Sequence, residues 1–376
     1  MEPRTLVVLF LRGGLDGLSA VPPVFDDDYR RARPGLGVDR PKPGDVSGPA
    51  MLDDRFALSA DLKALLPLYR DGRLAVVHAV GSDDDTLSHF EAQDQMEHGA
   101  SRTRPLAGGW LGRWLRARGE NDPLAAIAFG EKLPESLRGA PAACAVESID
   151  DIAVSTTTGD AAGFASAIET LHACGAGVGA ATSLVCGAGR DSLKLLARVA
   201  ELREDKAAGG AYPRTDLGRA LSQVALLVKK DVGLRAAAVD HGGFDTHFGQ
   251  SVALPPKLVE FAEALAAFDA DLGASRERVT TVCMTEFGRR VDENASLGTD
   301  HGRASCAFVL GAGVDGGRVV GRWPGLAERD LEAPGNLRVT TDYRDLLWET
   351  LANRFGAANP DAVFPGLVPT PPGVVR

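Results

Sequence analysis

The sequence predicts an α/β fold in which a mainly parallel sheet is covered by helices on both faces. Three observations carry that expectation: short uncharged apolar runs recur along the chain, stretches with helical spacing separate them, and polar clusters follow several of the runs. Buried parallel strands read as continuous apolar runs, and strands alternating with helices build such a sheet. Loops at the carboxyl ends of parallel strands converge on one crevice, so residues scattered over roughly three hundred positions can meet in a single site.

Thr5–Leu11 is the first strand, a run of β-branched and apolar residues that ends at Gly13-Gly14. Residues 61–71 predict a helix starting at Ser59 or Asp61, and Leu74–Val80 the next strand, together a βαβ unit. Helices are expected to begin near Ser88 and near Trp110, followed by a Gly/Pro/Ser-rich stretch, 130–163, with weak strand signals. Residues 188–208 and 214–231 show apolar spacing of three and four, the mark of two amphipathic helices interrupted at Gly209–Pro213. Leu234–Val239, a long helix over about 255–272, Val279–Met284 and Cys306–Leu310 restore the alternation. A final helix near 342–355 precedes Pro369-Thr370-Pro371-Pro372, which is expected to lie extended on the surface.

At 376 residues the chain can bury a large core, and we expect one domain with a helical and loop insertion around 130–233. With 44 glycines against 6% aromatic residues, tight loops and close backbone approaches should be common. A net charge of −10 and a pI near 5.3 exclude a general nucleic-acid binder, which needs a basic face. The five cysteines are odd in number, widely spaced and without Cys-x-x-Cys, so buried free thiols are expected rather than a disulfide framework or a thiolate zinc site. No uncharged apolar stretch reaches the ~20 residues of a spanning helix, so no membrane partner is expected. The first strand begins too early for a secretory leader. A cytoplasmic address follows unless a leader was removed.

Five clusters carry chemistry. Asp16, in Gly13-Gly14-Leu15-Asp16-Gly17, is either a turn residue or an ion ligand. Ser88-His89-Phe90-Glu91 fits a capping box, yet a serine at a helix start is also well placed to attack an anionic ester. Asp245-x-His247 offers a hard oxygen and an imidazole nitrogen to one divalent ion. Glu286 ends an apolar run, where a carboxylate is costly unless paired or metal-bound. Asp300-His301 adds a second carboxylate and imidazole, and Arg289, Arg290 and Arg303 are candidates for holding substrate anion oxygens. Neither a P-loop, a dinucleotide fingerprint nor a Gly-x-Ser-x-Gly elbow is present.

Taken together, Leu11–Gly17, Ser88-His89-Phe90, Gly243–His247, Thr285–Arg289 and Gly298–Gly302 closely resemble the bacterial family labelled domain of unknown function 1501, in order along almost the whole chain. That family looks like a branch of the alkaline phosphatase and sulfatase superfamily. The resemblance implies a three-layer α/β/α sandwich and hydrolysis of a small phosphate, sulfate or phosphonate ester by a serine nucleophile beside one or two divalent ions. Zinc or manganese suits the mixed N/O ligands.

By position, the resemblance makes Ser88 the nucleophile and Asp245, His247 and His301 the ligands of one metal. Asp16 and Glu286 then form a second, poorer set, because Phe287 stands where the superfamily has an imidazole. Arg289 and Arg303 remain the candidates for the substrate anion, with His89 and Asp300 supporting the ligands. Thr86–Phe90 lacks the proline and arginine of the formylglycine motif, which argues against that chemistry. A metal-binding or scaffolding protein with reduced turnover is the alternative. Family members commonly begin with a twin-arginine export leader, which this chain does not show.

Overall fold

The computed structural model describes residues 4–149 except 43, 45, 46 and 105, residues 160–173 and 211–376, and isolated positions between 179 and 199. Among these residues the strands are β1 Thr5–Arg12, β2 Ala50–Met51, β3 Ala57–Leu58, β4 Leu74–Gly81, β5 Ala126–Phe129, β6 Cys144–Val146, β7 Ala236–Gly242, β8 Val279–Met284, β9 Ser305–Gly311, β10 Val319–Val320 and β11 Thr341–Asp342. β2 and β3 form a short antiparallel pair. The other nine make one sheet in the order β10-β4-β9-β8-β1-β7-β5-β6, with β11 also on β4.

Every pairing in that sheet is parallel except the two made by β9. The reversal positions the site. Because β9 runs against β4 and β8, its amino end lies on the edge where β1, β4, β7 and β8 present their carboxyl ends. Loops that follow four strands and the loop that precedes a fifth therefore share one rim.

Two packed layers flank the sheet, and β1 shows why. Its odd residues Val7, Leu9 and Leu11 face Leu221 and Val224 of the helix Asp216–Lys229 and Phe261, Leu265 and Phe268 of the helix Gln250–Leu272. Its even residues Leu6, Val8 and Phe10 face Trp110 and Trp114 of the helix Trp110–Ala117 and Leu347 and Leu351 of the helix Tyr343–Phe355. A strand's side chains alternate between faces, so a run that is apolar throughout must be covered on both. Each such side chain contributes about 1.5–3 kcal/mol of burial. The fold class is the expected one: α/β, in three layers, around a mainly parallel sheet.

Departures from the sequence reading have local causes. The helix expected over 61–71 is a 3₁₀ stretch, Ala60–Leu65, followed by an α-turn, Leu66–Arg70, because Pro67 lacks an amide hydrogen and fits only a first turn. The helix expected from 255 starts at Gln250 and carries Pro255 and Pro256 inside it. Buried hydrogen bonds of Gln250 hold that earlier start. Cys144, Cys283 and Cys306 are free, but Cys186 is disulfide-bonded, which corrects the expectation of free thiols throughout. Pairing between widely spaced cysteines leaves no trace in spacing. Pro369–Pro372 carry no helix or strand and are at least partly exposed, as expected, while beyond them Val374 and Val375 are buried and the amides of Gly373 and Val375 donate to the Glu349 carboxylate. The helix expected over 188–208 lies mostly outside the described residues. No helix among the described residues is long and apolar enough to cross a membrane.

His78 on β4 is buried, with Nε2 donating to Val21 O at 3.0 Å and Nδ1 accepting from the Ala79 amide at 3.0 Å. Burial pushes its pKa down to about 4. A histidine whose folded pKa is depressed contributes full stability above its unfolded pKa of about 6.5 and loses it as pH falls toward 4. Between pH 7 and pH 4.5 the unfolding free energy should therefore drop by on the order of 2 kcal/mol more in the wild type than in His78→Gln. Urea titrations of both proteins at the two pH values check this, and equal losses would refute it.

Candidate metal centre

β7 leads through His241 and Gly242 into a loop that presents Asp245 and His247. The loop after β1 packs directly against it: Gly13 has φ +112°, and a Cβ there would lie 2.6 Å from the Asp245 amide nitrogen, so only glycine fits. β8 ends at Met284 and delivers Glu286, Phe287 and Arg289, while β4 leads to Ser88 and His89. Asp300 and His301 arrive from the segment before β9.

Three imidazoles surround one carboxylate oxygen. Asp245 Oδ1 lies 3.2 Å from His247 Nε2, 3.2 Å from His301 Nε2 and 3.5 Å from His89 Nε2. His247 Nε2 and His301 Nε2 are 2.9 Å apart, and donor atoms of His89, Asp245 and His301 all fall within 4.8 Å of one another.

Each ring is fixed from behind. His89 Nδ1 contacts Glu286 Oε1 at 2.7 Å, His247 Nδ1 contacts Asp300 Oδ1 at 3.2 Å, and His301 Nδ1 contacts the Leu87 carbonyl at 2.7 Å. A carbonyl or ionised carboxylate only accepts, so all three Nδ1 atoms carry hydrogen and the Nε2 atoms face inward as the remaining ring nitrogens. Leu87 turns its carbonyl toward His301 with φ +53°, a costly conformation for leucine.

Three of these groups, His89, Asp245 and His301, could hold a divalent ion, since their donor atoms lie within 4.8 Å of one another, whereas His247 reaches Asp245 and His301 but falls outside that group. A metal held at 2.0–2.2 Å from nitrogen and oxygen spaces tetrahedral donors about 3.3 Å apart, and the separations around Asp245 Oδ1 bracket that value. His89 Nε2 is buried with no hydrogen-bond partner among the described residues, an unmet valence pointing into the cluster. A carboxylate or carbonyl behind each ligand imidazole is the usual support of a metal site.

Electrostatics hold the carboxylate ready. Burial alone would raise the Asp245 pKa, but the hydrogen bond and charge of Arg289, with help from His301, bring it down to about 2. Burial lowers the His301 pKa and so favours its neutral ring. The Glu286 hydrogen bond raises that of His89 against the opposing effect of burial. Phe287 is buried between two of the rings, 4.7 Å from His89 and 4.8 Å from His301, centroid to centroid, and closes the floor.

The structure brings Asp245, His247 and His301 together as the sequence grouped them and adds His89, which sequence reasoning had placed behind the ligands. Asp300 supports His247 and also accepts from Asn294 Nδ2 at 3.0 Å.

Several other assignments are corrected. Glu286 is not free to bind an ion, because Oε1 accepts from the Gly13 amide, Gln93 Nε2 and His89, and Oε2 from Thr285 Oγ1. Asp16 forms a fully buried ion pair with Arg33 and also accepts from Ser19, Gln250 and the Leu18 amide, which leaves no oxygen for a metal. Arg289 cannot hold a substrate anion: it is buried, and it donates to the carbonyls of Gly13, Gly14, Phe244 and Thr299 and to Asp245. Arg303 donates to the Ser82 carbonyl at 3.0 Å and faces Glu332 at 3.5 Å.

Ser88 does not make the capping-box bond. It occupies the N-cap of the helix His89–His98 with no side-chain cap hydrogen bond, and its own amide donates to Thr86 Oγ1 at 3.2 Å. It lies between Leu87, which supports His301, and His89, so its backbone borders the cluster. Arg33 and Gln250, which anchor the loops beneath the site, carried no sequence signal.

Residues 200–367 match the family model described as protein of unknown function (DUF1501), the family that the motifs resemble. The match includes the clusters of Asp245, Glu286 and His301. No curated protein matches the chain. Among solved structures, a similar chain is titled as a protein in the alkaline phosphatase superfamily from Vibrio parahaemolyticus, with 10% identity and a TM-score of 0.34. The likeness covers 83% of this chain, which spans only 61% of that one.

If Asp16 is the partner of Arg33 rather than a ligand, Asp16→Ala should cost about 3–5 kcal/mol by stranding a buried charge. The zinc stoichiometry of the protein that remains folded should not change. Calorimetric unfolding and metal analysis test both, and lost metal at native stability would restore the ligand role.

Proposed function

We propose that this protein is a metal-dependent hydrolase of phosphate, sulfate or phosphonate esters that uses a single divalent ion held by His89, Asp245, His247 and His301. The observation that supports it is the convergence of three Nε2 atoms on one carboxylate oxygen, with each ring fixed by an acceptor behind it. Zinc and manganese suit an N₃O donor set. When bound, the ion supplies Lewis-acid polarisation of an ester oxygen.

The chain's own residues do the rest. Glu286 and Asp300 hold the Nδ1 hydrogens of His89 and His247 and so strengthen the opposite nitrogens as donors. Arg289 keeps Asp245 ionised and in place. Ser88, whose hydroxyl is not spent on capping, is the proposed nucleophile at the first turn of a helix, where amide hydrogens favour an anionic ester.

A second reading, a metal-binding protein without turnover, is favoured by one observation: Asp16 and Glu286, the second ligand set implied by the resemblance, are both committed to other partners.

Zinc titration should give one ion per chain. His247→Ala should weaken it by more than about 100-fold, and Glu286→Gln, which weakens the support of His89 along with the bonds to Gly13, Gln93 and Thr285, by about 10–100-fold. A panel of p-nitrophenyl phosphate, sulfate and phosphonate esters, run with and without chelator, then separates the readings. Turnover that requires metal and is abolished by Ser88→Ala supports the hydrolase. Full zinc loading without turnover on any ester supports the second reading.

A further inference from the structure

His89 is the first residue of the helix His89–His98, and Gln93 and Glu97 follow it at intervals of four. Side chains four apart stand one above the other on a helix, so the three form a single stripe. Each member of the stripe is bonded to another part of the fold. His89 Nδ1 meets Glu286 Oε1 at 2.7 Å, Gln93 Nε2 donates to the same oxygen at 2.8 Å, and Glu97 Oε1 pairs with Arg12 at 2.6 Å. The other Glu97 oxygen accepts from the Ser136 amide at 2.9 Å.

Arg12 meets that stripe from the carboxyl end of β1. Its Nη1 donates to Gln93 Oε1 at 3.1 Å, while Nη2 pairs with Glu97 and, at 3.0 Å, with Asp240 of β7. The guanidinium carbon lies 4.2 Å from the centroid of the Phe10 ring, which backs the fork. An arginine only donates, so Gln93 turns its oxygen toward Arg12 and its amide hydrogens toward Glu286. In the opposite orientation two acceptor oxygens would face each other across 2.8 Å. Glu286 Oε1 also accepts from the amide of Gly13, the residue after Arg12. One guanidinium therefore holds the helix that carries His89, through Glu97, and the carboxylate that holds the His89 ring, through Gln93.

Resting on the metal-site reading above, we propose that Arg12 and Gln93 are positioning residues of the metal centre, which keep His89 Nε2 directed into the cluster although neither is a ligand. The route from Gln93 to the cluster runs through Glu286 and His89. A lysine in place of Arg12 would keep the charge opposite Glu97 and Asp240, but it lacks the planar fork that reaches Gln93 from the same group. A role confined to stability would leave metal affinity unchanged, or change it whether or not His89 is present.

The test is the zinc affinity of the full chain, measured by competition with a chromophoric chelator, with thermal unfolding of each variant recorded alongside. We expect Gln93→Met to weaken zinc by about 10-fold, the low end for a group that supports a ligand from behind, and His89→Ala to weaken it by more. Gln93→Glu is isosteric and keeps the acceptor for Arg12, so it removes only the donor to Glu286 and should show a similar loss. In the His89→Ala background Gln93→Met should weaken zinc no further, because residues that act through one another are not additive. Arg12→Lys should also cost about 10-fold. Wild-type affinity in the folded Gln93 variants, or the same loss with and without His89, would overturn the proposal and leave the metal-site reading standing. Loss in the Gln93 variants but not in Arg12→Lys would overturn the role of Arg12. Wild-type affinity in His89→Ala would remove His89 from the ligands and overturn the proposal as well. A wild-type chain that takes up no zinc would overturn both the proposal and the metal-site reading.

Discussion

The site depends on one buried cation. The guanidinium of Arg289 lies beside the candidate metal ligands and donates to carbonyls of Gly13 and Gly14 after β1, of Phe244 after β7 and of Thr299 before β9, and then to Asp245. An arginine presents five donors in a rigid fork, and burying it is tolerable only when those donors are met. Satisfying this one side chain therefore sets the spacing of three loops from different parts of the sheet. Asp245 is its only anionic partner among the described residues, so the carboxylate around which the imidazoles gather is also the counter-ion that neutralises the fork.

A second clamp repeats the logic one layer down. Arg33 pairs with Asp16 and donates to the carbonyls of Arg290 and Val291, which ties the loop after β1 to the chain that follows β8. Gln250 then joins Asp16 to Thr246 and Thr299. The rings above are held by Glu286, Asp300 and the Leu87 carbonyl, each on a different segment. Side chains fixed from behind in this way are the kind of support that a ligand-binding constellation requires. Buried arginine here serves architecture.

Much of this was legible in the sequence, for physical reasons that also explain the failures. β1, β4, β8 and β9 are uncharged apolar runs because both faces of the sheet are covered, and such runs announce themselves. Asp245-x-His247 was readable as a candidate ligand pair, and Asp300-His301 as a candidate ligand beside its support, because both members of each lie on one short loop. The direction of β9 was not readable, since an apolar run looks the same whichever way it pairs, and that direction is what carries His301 to the working edge. Asp16 was misassigned because a buried carboxylate calls for a cation, and the sequence does not say whether the cation is a metal or Arg33, seventeen positions away. Arg289 failed for the mirror reason: a loop arginine near ligands looks available for a substrate until its carbonyl partners from distant loops are seen. His89 was placed behind the ligands, although its position next to Ser88 already put it at the edge of the site.

The most direct measurement is the anomalous scattering of a zinc-loaded crystal at the zinc edge. The account requires a single peak per chain enclosed by His89 Nε2, His247 Nε2, His301 Nε2 and Asp245, at about 2.0–2.2 Å from each, with Asp16 still paired to Arg33. A peak between Asp16 and Glu286, or no ordered zinc at the three imidazoles, would contradict it.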